Sequence, residues 1–596
     1  MGMRESLNAF LRPNQVRHVL TAMCATSLVV GSVVVVAAMP AIATSWTVIE
    51  APLPANTAAD PSPTYVSVAC ASSAACAAVG DYFDTSSTSR GLIDTLSGGA
   101  WSATEVPLPA NANTSHAATP NQVVCPSAGA CTAVGSYLDN STPSGQSRAF
   151  IDTLSGGIWS ATEAPLPANT STTPAAVLNS VACNSSGACT AVGTYDDALG
   201  NTQGLIDILS GGVWTPTEAQ LPVNAALTGQ VASLDSVACA AAGACTVVGS
   251  YTDTSGDTQG LIDTLSGGVW TPAEAALPSN AAADPSVSFT SVACPSTGAC
   301  AAIGDYLDSV AHDHNLIETL SGGTWSDIEA PLPANAAADP HPVVSGLACD
   351  AAGSCTAVGD YIDNSSPMGF QQGVIDTLSG GTWSAVQAPL PANHAVPTGF
   401  PFAHPFNSLT TVTCPSAGTC TAVGLYADNQ TPTGEDQPLV DALSGGIWSP
   451  VEAPLPANAT SSGQASILDA VACASATVCA AVGEYDTSGS RQGLIESIGI
   501  SSPPPSCPGG FAITTASPLP SATHGDPYTL SLSGCGGTPP YKFKKIGKLP
   551  KGLKLSHTGV ISGTPAKPGS ATFNVKVTDK AKPKHTVTQT FSLTVN

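Results

Sequence analysis

The sequence predicts an all-β fold: an eight-bladed β-propeller closed by an N-terminal strand, followed by a smaller, separate β domain. Three observations predict it. Eight units of 55 to 65 residues repeat along the 596-residue chain, and all eight Trp (46, 101, 159, 214, 270, 325, 383, 448) hold one position of the unit. Charged residues make up only 10% while Gly (57) and Pro (49) abound, which suits short strands joined by turns rather than solvated helices. The two ends of the repeat array carry complementary orphan strands.

The best-preserved unit runs from Leu234 to Pro278 and divides into four β-type runs separated by turn residues. We label them A (SVAC), B (CTAVGxYxD), C (GLIDTL) and D (WxxxEAPLP), with Ser-Gly-Gly between C and D. Eight of the eleven Tyr (82, 137, 195, 251, 306, 361, 426, 485) occupy one position of strand B. Four strands in each of eight repeats match blades around an axis, whereas a solenoid uses shorter repeats with capping units. The array opens with a lone D strand at Trp46 and ends with A, B and C but no D, at Ile498. Pairing Trp46–Glu50 with Gly493–Ser497 would complete the last blade and leave no open edge.

The first 43 residues read as an export signal. Arg4, Arg12 and Arg17 precede an apolar run from Val19 to Met39, and Ala41-Ile42-Ala43 offers a cleavage site, so the mature chain starts near Thr44. The run is also long enough to span a bilayer, which leaves an uncleaved anchor as the one route to a membrane. Cys24 follows Thr21-Ala22-Met23, which lacks the small residue a lipoprotein signal needs.

The net charge of -25 conceals two opposed domains. All eleven Lys lie between Lys542 and Lys584, against only Asp526 and Asp579, so the tail carries +9. With +2 on the signal, residues 44 to 506 carry -36. Such an acidic domain repels nucleic acid and anionic membrane, and no nucleic-acid partner is expected.

Cysteines fall in pairs with C-x5-C spacing across the A–B turn: Cys70 and Cys76, Cys125 and Cys131, Cys183 and Cys189, Cys239 and Cys245, Cys294 and Cys300, Cys349 and Cys355, Cys414 and Cys420, Cys473 and Cys479. Cys507 and Cys535 form a ninth pair in the tail. In an exported chain such pairs read as disulfides, and no further Cys or His accompanies each pair to complete a metal site.

The order of a V-x-C strand, an A-V-G strand, an L-I-D-T-L strand, a Gly-Gly turn and Trp resembles Asp-box (BNR) propellers and the related photosystem II assembly-factor propellers over residues 45 to 500. In Asp94-Thr95-Leu96-Ser97-Gly98-Gly99-Ala100-Trp101 the glycines and Trp are kept but the aspartate lies too early. The resemblance therefore implies the fold and no activity. After the Ser/Pro-rich linker 501–506, residues 507–596 resemble the bacterial Putative Ig domain family through Pro540-Tyr541, Leu549–Leu555, Gly559–Pro565 and Phe573–Asp579. That resemblance implies an immunoglobulin-like (cadherin-like) β-sandwich common on bacterial surfaces. Cadherin-like modules bind calcium through clustered carboxylates. With only Asp526 and Asp579 at hand, no cofactor and no metal ligands are assigned.

No catalytic residues are assigned either. A sialidase site needs several arginines converging on a carboxylate, yet residues 44–506 hold only Arg90, Arg148 and Arg491, each near the start of strand C. Acids such as Asp94 and Asp263 in strand C, and Glu105 and Glu274 in strand D, recur in every unit and read as structural, with a cation-holding acidic ring near the axis as the functional alternative. His312-Asp313-His314 is a lone H-x-H on a loop.

The turns place a ligand. The A–B turn and the C–D turn keep their lengths, whereas the B–C span is eight positions from Asp84 to Leu92 but eleven from Asp139 to Phe150, Asp363 to Val374 and Asp428 to Leu439. The longest D–A connection carries His394, Phe400, Phe402, His404 and Phe406, with Phe370 in a lengthened B–C loop. Loops on a rigid scaffold carry function and exposed aromatics stack on sugars. Residues 364–373, 394–406 and 429–438 are thus the expected binding patch. The expected function is a secreted or cell-surface binding or adhesion protein, acting as a monomer on an extracellular glycan, wall polymer or surface protein; the alternative is an extracellular glycan-acting hydrolase or lyase.

Overall fold

The computed structural model describes residues 46–500 and 512–595, except 114–117, 143–144, 185–186, 352, 366–368, 396–406, 430–434, 514, 516, 518, 520–521, 533, 536–540 and 582–583. The export signal, its competing anchor reading and the linker therefore lie outside the described residues. The described residues form strands and no helix, so none contains a helix long and apolar enough to cross a membrane.

The repeats fold as eight four-stranded antiparallel sheets in the order A-B-C-D. In repeat 1 these strands are Thr64–Ser72, Ala75–Phe83, Ser89–Ser97 and Ala100–Glu105. Repeat 8 supplies Ile467–Ser475, Val478–Asp486 and Arg491–Ile498, and its fourth strand is Thr47–Glu50 from the other end of the chain. Thr47 pairs with Ser497 and Glu50 with Leu494, the pairing that the orphan strands called for. Strand A of each sheet packs on strand A of the next, and that of repeat 8 packs on that of repeat 1.

Local sequence explains each turn and kink. Gly98 and Gly99 sit at φ 60° and 82°, and so do their equivalents, which gives the tight C–D hairpin a turn whose twist matches the strands. The glycine of A-V-G answers a different need. Strand A bulges between Tyr65 and Ser67, and a Cβ on Gly80 would lie 1.9 Å from the Thr64 carbonyl oxygen. Alternate residues of strands B and C pack against the preceding and following sheet, as with Leu92 toward repeat 8 and Ile93 toward repeat 2. The eight Tyr of strand B are fully buried.

Eight disulfides join the predicted pairs, with Cα atoms 4.0–4.1 Å apart. Each links strand A to strand B, where cysteines such as Cys239 and Cys245 face each other directly. The ninth pair includes Cys507, which lies outside the described residues.

The tail forms two three-stranded sheets, Tyr528–Ser531 with Val560–Gly563 and Leu553–Leu555, and Lys542–Ile546 with Gly569–Thr578 and Thr586–Val595. Phe543, Ile561, Phe573, Phe591 and Leu593 from both sheets share one core.

Candidate functional site

The recurring polar residues are spent on the scaffold. In each repeat the buried Tyr hydroxyl reaches an Asn from the preceding D–A connection, and in most repeats it also reaches an acid on strand D. Tyr251 lies 2.9 Å from Asn224 Oδ1 and 2.8 Å from Glu274 Oε2, while Asn224 Nδ2 donates to the same carboxylate at 2.7 Å. Burial, reinforced by the neighbouring Glu274, raises the Tyr251 hydroxyl well above its ordinary value. Repeat 8 builds the same triad across the chain ends: Glu50 accepts from Asn458 at 2.7 Å and from Tyr485 at 2.9 Å. In repeat 6 Gln387 stands in for Glu and accepts from Asn335 at 3.2 Å.

The strand C acids are sealed inside the scaffold, in line with the structural reading of their recurrence. Asp94, Asp152, Asp207, Asp263, Glu318, Asp376, Asp441 and Glu496 are fully buried on the third strand, between sheets, so they make no cation-holding ring around an axis. Most of their oxygens have no hydrogen-bond partner; the Tyr65 hydroxyl, 2.5 Å from Asp94 Oδ2, is one exception. Burial raises these carboxyls to about 7 for Asp94, about 8 for Asp152 and about 9 for Glu496. They are therefore neutral acids through much of the physiological range.

A third recurring acid closes the B–C loop. Asp84 Oδ1 accepts from the Ser86 and Thr88 backbone N–H groups, and Oδ2 accepts from Arg90 Nε at 2.8 Å. Arg148 holds Asp139 in the same way, and Arg491 binds Glu484 and Asp486. All three arginines are thus tied to acids of their own repeats and do not converge. In repeat 5 His314 takes the arginine's place, with Nε2 3.3 Å from Asp308 and Nδ1 2.9 Å from Glu329. His312 is half-exposed, with Nδ1 3.9 Å from the same Asp308 oxygen, so both histidines of the H-x-H face one carboxylate. Among the described residues no three His, Cys, Asp or Glu side chains are placed to hold a metal ion.

The expected aromatic patch is only partly described. Phe400, Phe402, His404 and Phe406 lie outside the described residues. Phe370 is buried, not exposed: its N–H donates to Asp363 Oδ1 and its carbonyl accepts from the Asp363 N–H, which turns its ring inward. It offers no open stacking surface. His394 bonds to the Pro391 carbonyl through Nδ1 at 2.8 Å and bridges to Asp428, the same backbone bridge that Thr57 and Ala225 make in their repeats.

Two kinds of concavity remain. On the face of the disulfides and Gly-Gly turns, grooves of about 390 Å³ and 410 Å³ lie between repeats 4 and 5 and between repeats 1 and 2. They are mainly apolar and are bounded by Trp325 and Trp159. Trp159 Nε1 donates to Thr95 Oγ1 at 2.9 Å, whereas Trp270, facing Ile208 at the equivalent place, has a buried N–H without a partner. On the face of the variable loops, a cleft of about 240 Å³ opens between repeats 5 and 6. Strand B (Ala299–Leu307) contributes Asp305, strand C (Asp313–Ser321) contributes Asp313 and Asn315, and the next D–A connection contributes His341. Burial, then the charge of Asp313, raises Asp305 to about 6. Sequence reasoning missed this cleft because it weighed His312-Asp313-His314 as a metal pair and never compared Asn315 with its glycine counterparts.

Residues 511–596 match the Putative Ig domain family model, so the tail segment is an Ig domain. No curated protein matches the chain. Similar solved structures include a Mycobacterium tuberculosis puromycin-hydrolyzing peptidase (12% identity, 81% of this chain and 64% of that one, TM-score 0.37). A Trypanosoma rangeli sialidase (9%, 76% and 59%, TM-score 0.31) and a Penicillium chrysogenum alpha-L-arabinanase complexed with arabinobiose (11%, 54% and 92%, TM-score 0.28) are similar too. Likeness at this level carries no argument about activity.

Proposed function

We propose that the chain is an exported binding protein of the cell surface or the extracellular medium, built on a closed eight-bladed propeller (residues 44–500) with an Ig-like domain (507–596). The observation that carries the binding role is how polar groups are distributed. The acids, Tyr and Asn that recur from repeat to repeat bond within the scaffold or are buried between sheets, whereas the cleft on the variable face is lined by Asn315, whose column holds Asn in no other repeat, and by two acids, Asp305 and Asp313, that bond to no repeated partner. Export is supported by the eight short-loop disulfides, which persist in oxidising compartments, and by the N-terminal signal pattern. Closure is supported by strand Thr47–Glu50 in the last sheet and by the Glu50 triad. The resemblance to Asp-box propellers concerns this scaffold alone.

The ligand class we favour is an extracellular glycan or wall polymer. Purified residues 44–596 should bind members of a glycan and wall-polymer array and release no new reducing ends from them. Release of sugar products would replace the binding role with the hydrolase reading, and binding to nothing on the array would remove it.

A further inference from the structure

The cleft between repeats 5 and 6 is set apart by a combination at three aligned positions: only repeat 5 joins an acid at the place of Asp305 to an acid at the place of Asp313, where repeat 7 carries Asp436, and only repeat 5 has Asn at the place of Asn315. At the place of Asp305, repeats 1, 6 and 8 also carry an acid, and each of those acids is satisfied. Asp81 accepts from Thr64 Oγ1 and from Ser89 Oγ, Asp360 from Ser408 Oγ at 2.7 Å, and Glu484 from Arg491 Nη1 at 2.5 Å. In repeat 5 Ser288 faces Asp305 across the ladder as Thr64 faces Asp81, but no hydrogen bond joins the two among the described residues, and the other partners are exchanged. Asp313 stands where repeat 1 has Ser89 and repeat 8 has Arg491, and Val343 stands where the neighbour of Asp360 is Ser408. Asp305 is left without a hydrogen bond among the described residues and faces a second carboxylate.

Asn315 is the third departure. Its column holds Gly in five repeats (91, 204, 260, 373, 493), so a side chain here is not a demand of the fold. Asn315 is 3% exposed, lines the cleft, and its Nδ2 has no partner. A buried amide left unpaired costs about 1–3 kcal/mol. Two carboxylates in want of a cation thus stand beside an amide N–H in want of an acceptor. His341, the nearest other titratable group in the cleft, is 61% exposed and bonds to Asp339 at 3.3 Å.

We propose that this cleft is a subsite for a protonated amino sugar, whose ammonium sits between Asp305 and Asp313 while an adjacent hydroxyl oxygen accepts from Asn315 Nδ2. A lysine side chain would satisfy the acids and leave Asn315 unpaired. A neutral sugar would satisfy Asn315 and leave the two acids opposed. A bare metal ion lacks a third ligand among the described residues. The volume of about 240 Å³ suits one ring rather than a drug-sized ligand. The inference rests on the binding reading above and names the ligand chemistry of one site within it.

Calorimetric titration of residues 44–596 at pH 6 with a glucosamine tetramer and with its N-acetylated counterpart tests it. The free-amine oligomer should bind at least about tenfold more tightly, as expected of a charge-assisted pair. Asn315→Gly restores the residue of five other repeats and Asp313→Ser that of repeat 1, so both variants should keep the wild-type melting temperature. Each should weaken binding by about tenfold, and the control His312→Ala should not. Equal affinity for the two oligomers, no binding of the free-amine oligomer, or full affinity in both cleft variants would overturn the proposal. If the protein binds another polymer and both variants bind that polymer like the wild type, the subsite falls and the binding role stands. If no polymer binds, both fall.

Discussion

Strands C and D both carry an acid in nearly every repeat, and the two sets live in opposite surroundings. The strand D carboxylates lie on the outer strand and collect hydrogen bonds: Glu274 receives both Asn224 and Tyr251, and Glu50 receives both Asn458 and Tyr485. The strand C acids are sealed between sheets, with alanines such as Ala78 and Ala422 opposite them on strand B and few partners. Equal repetition therefore reports two different things. One set locks each blade to the connection that enters it; the other sets a pH range in which the scaffold can stay packed.

The largest expected effect follows from the buried set. Their folded-state values rise from 3.8 to about 7 for Asp94, Asp263 and Asp376 and about 8 for Asp152, Asp207 and Asp441. Glu318 and Glu496 rise from 4.5 to about 8 and about 9. The folded state thus holds protons that the unfolded chain has already released. Stability is full below about pH 4 for these groups, and it declines as pH climbs through their folded values to about 9. Chemical denaturation across pH 4 to 9 should show a monotonic fall from this source. Asp441→Asn should stabilise the protein at pH 8 and leave it unchanged at pH 4. A variant equally destabilised at both pH values would mean that Asp441 is ionised and paired.

The bonded set should respond without such pH dependence. Glu50→Ala removes two hydrogen bonds to a carboxylate from the sheet that joins the two ends of the repeat array, while Tyr485 keeps its 3.0 Å bond to Asn458; bonds to a charged group are worth about 1.5–3 kcal/mol. Its melting temperature should drop more than that of Gln387→Ala, because the Gln387 side chain bonds only to the neutral amides of Asn335 and Gln372 and accepts nothing from Tyr361, which bonds to Asn335. Equal drops would deny any special cost at the seam.

Smaller still is the disulfide contribution. Each closes a seven-residue loop, so replacing Cys239 and Cys245 by Ser should cost roughly 2 kcal/mol on the chain-entropy account. Peptide mapping without reductant should recover crosslinks within the eight described pairs and none between repeats.

Much of the fold was legible because each strand position has a physical reason that repeats. Gly-Gly at the C–D turn, the A-V-G glycine against the bulged strand A, and Cys facing Cys across A and B all recur with fixed spacing. The extent of strand A was less legible: the SVAC motif marks only its second half, since the bulge after Tyr65 breaks the alternation that a sequence reading follows. Of the expected binding patch, Phe400, Phe402, His404 and Phe406 lie outside the described residues, and Phe370 is buried. Phe370 looked exposed because its loop is long, yet the Asp363 turn pulls it into the core. The repeat 5 and 6 cleft had a signal that composition hides: an Asn in a column that holds Gly in five repeats, beside two aligned acids, Asp305 and Asp313, that occur together only in repeat 5. It is found by aligning the repeats and asking which substitutions remove a partner.

The central claim is that repeated residues carry the fold and broken repeats carry recognition. Measuring polymer affinity and melting temperature for Asn315→Gly and Thr264→Val tests it most directly, because Thr264 lines the 390 Å³ groove on the uniform face. The account predicts that Asn315→Gly loses about tenfold in affinity at unchanged melting temperature, while Thr264→Val keeps its affinity. Loss of binding in Thr264→Val with full binding in Asn315→Gly would contradict it and move the site to the uniform face.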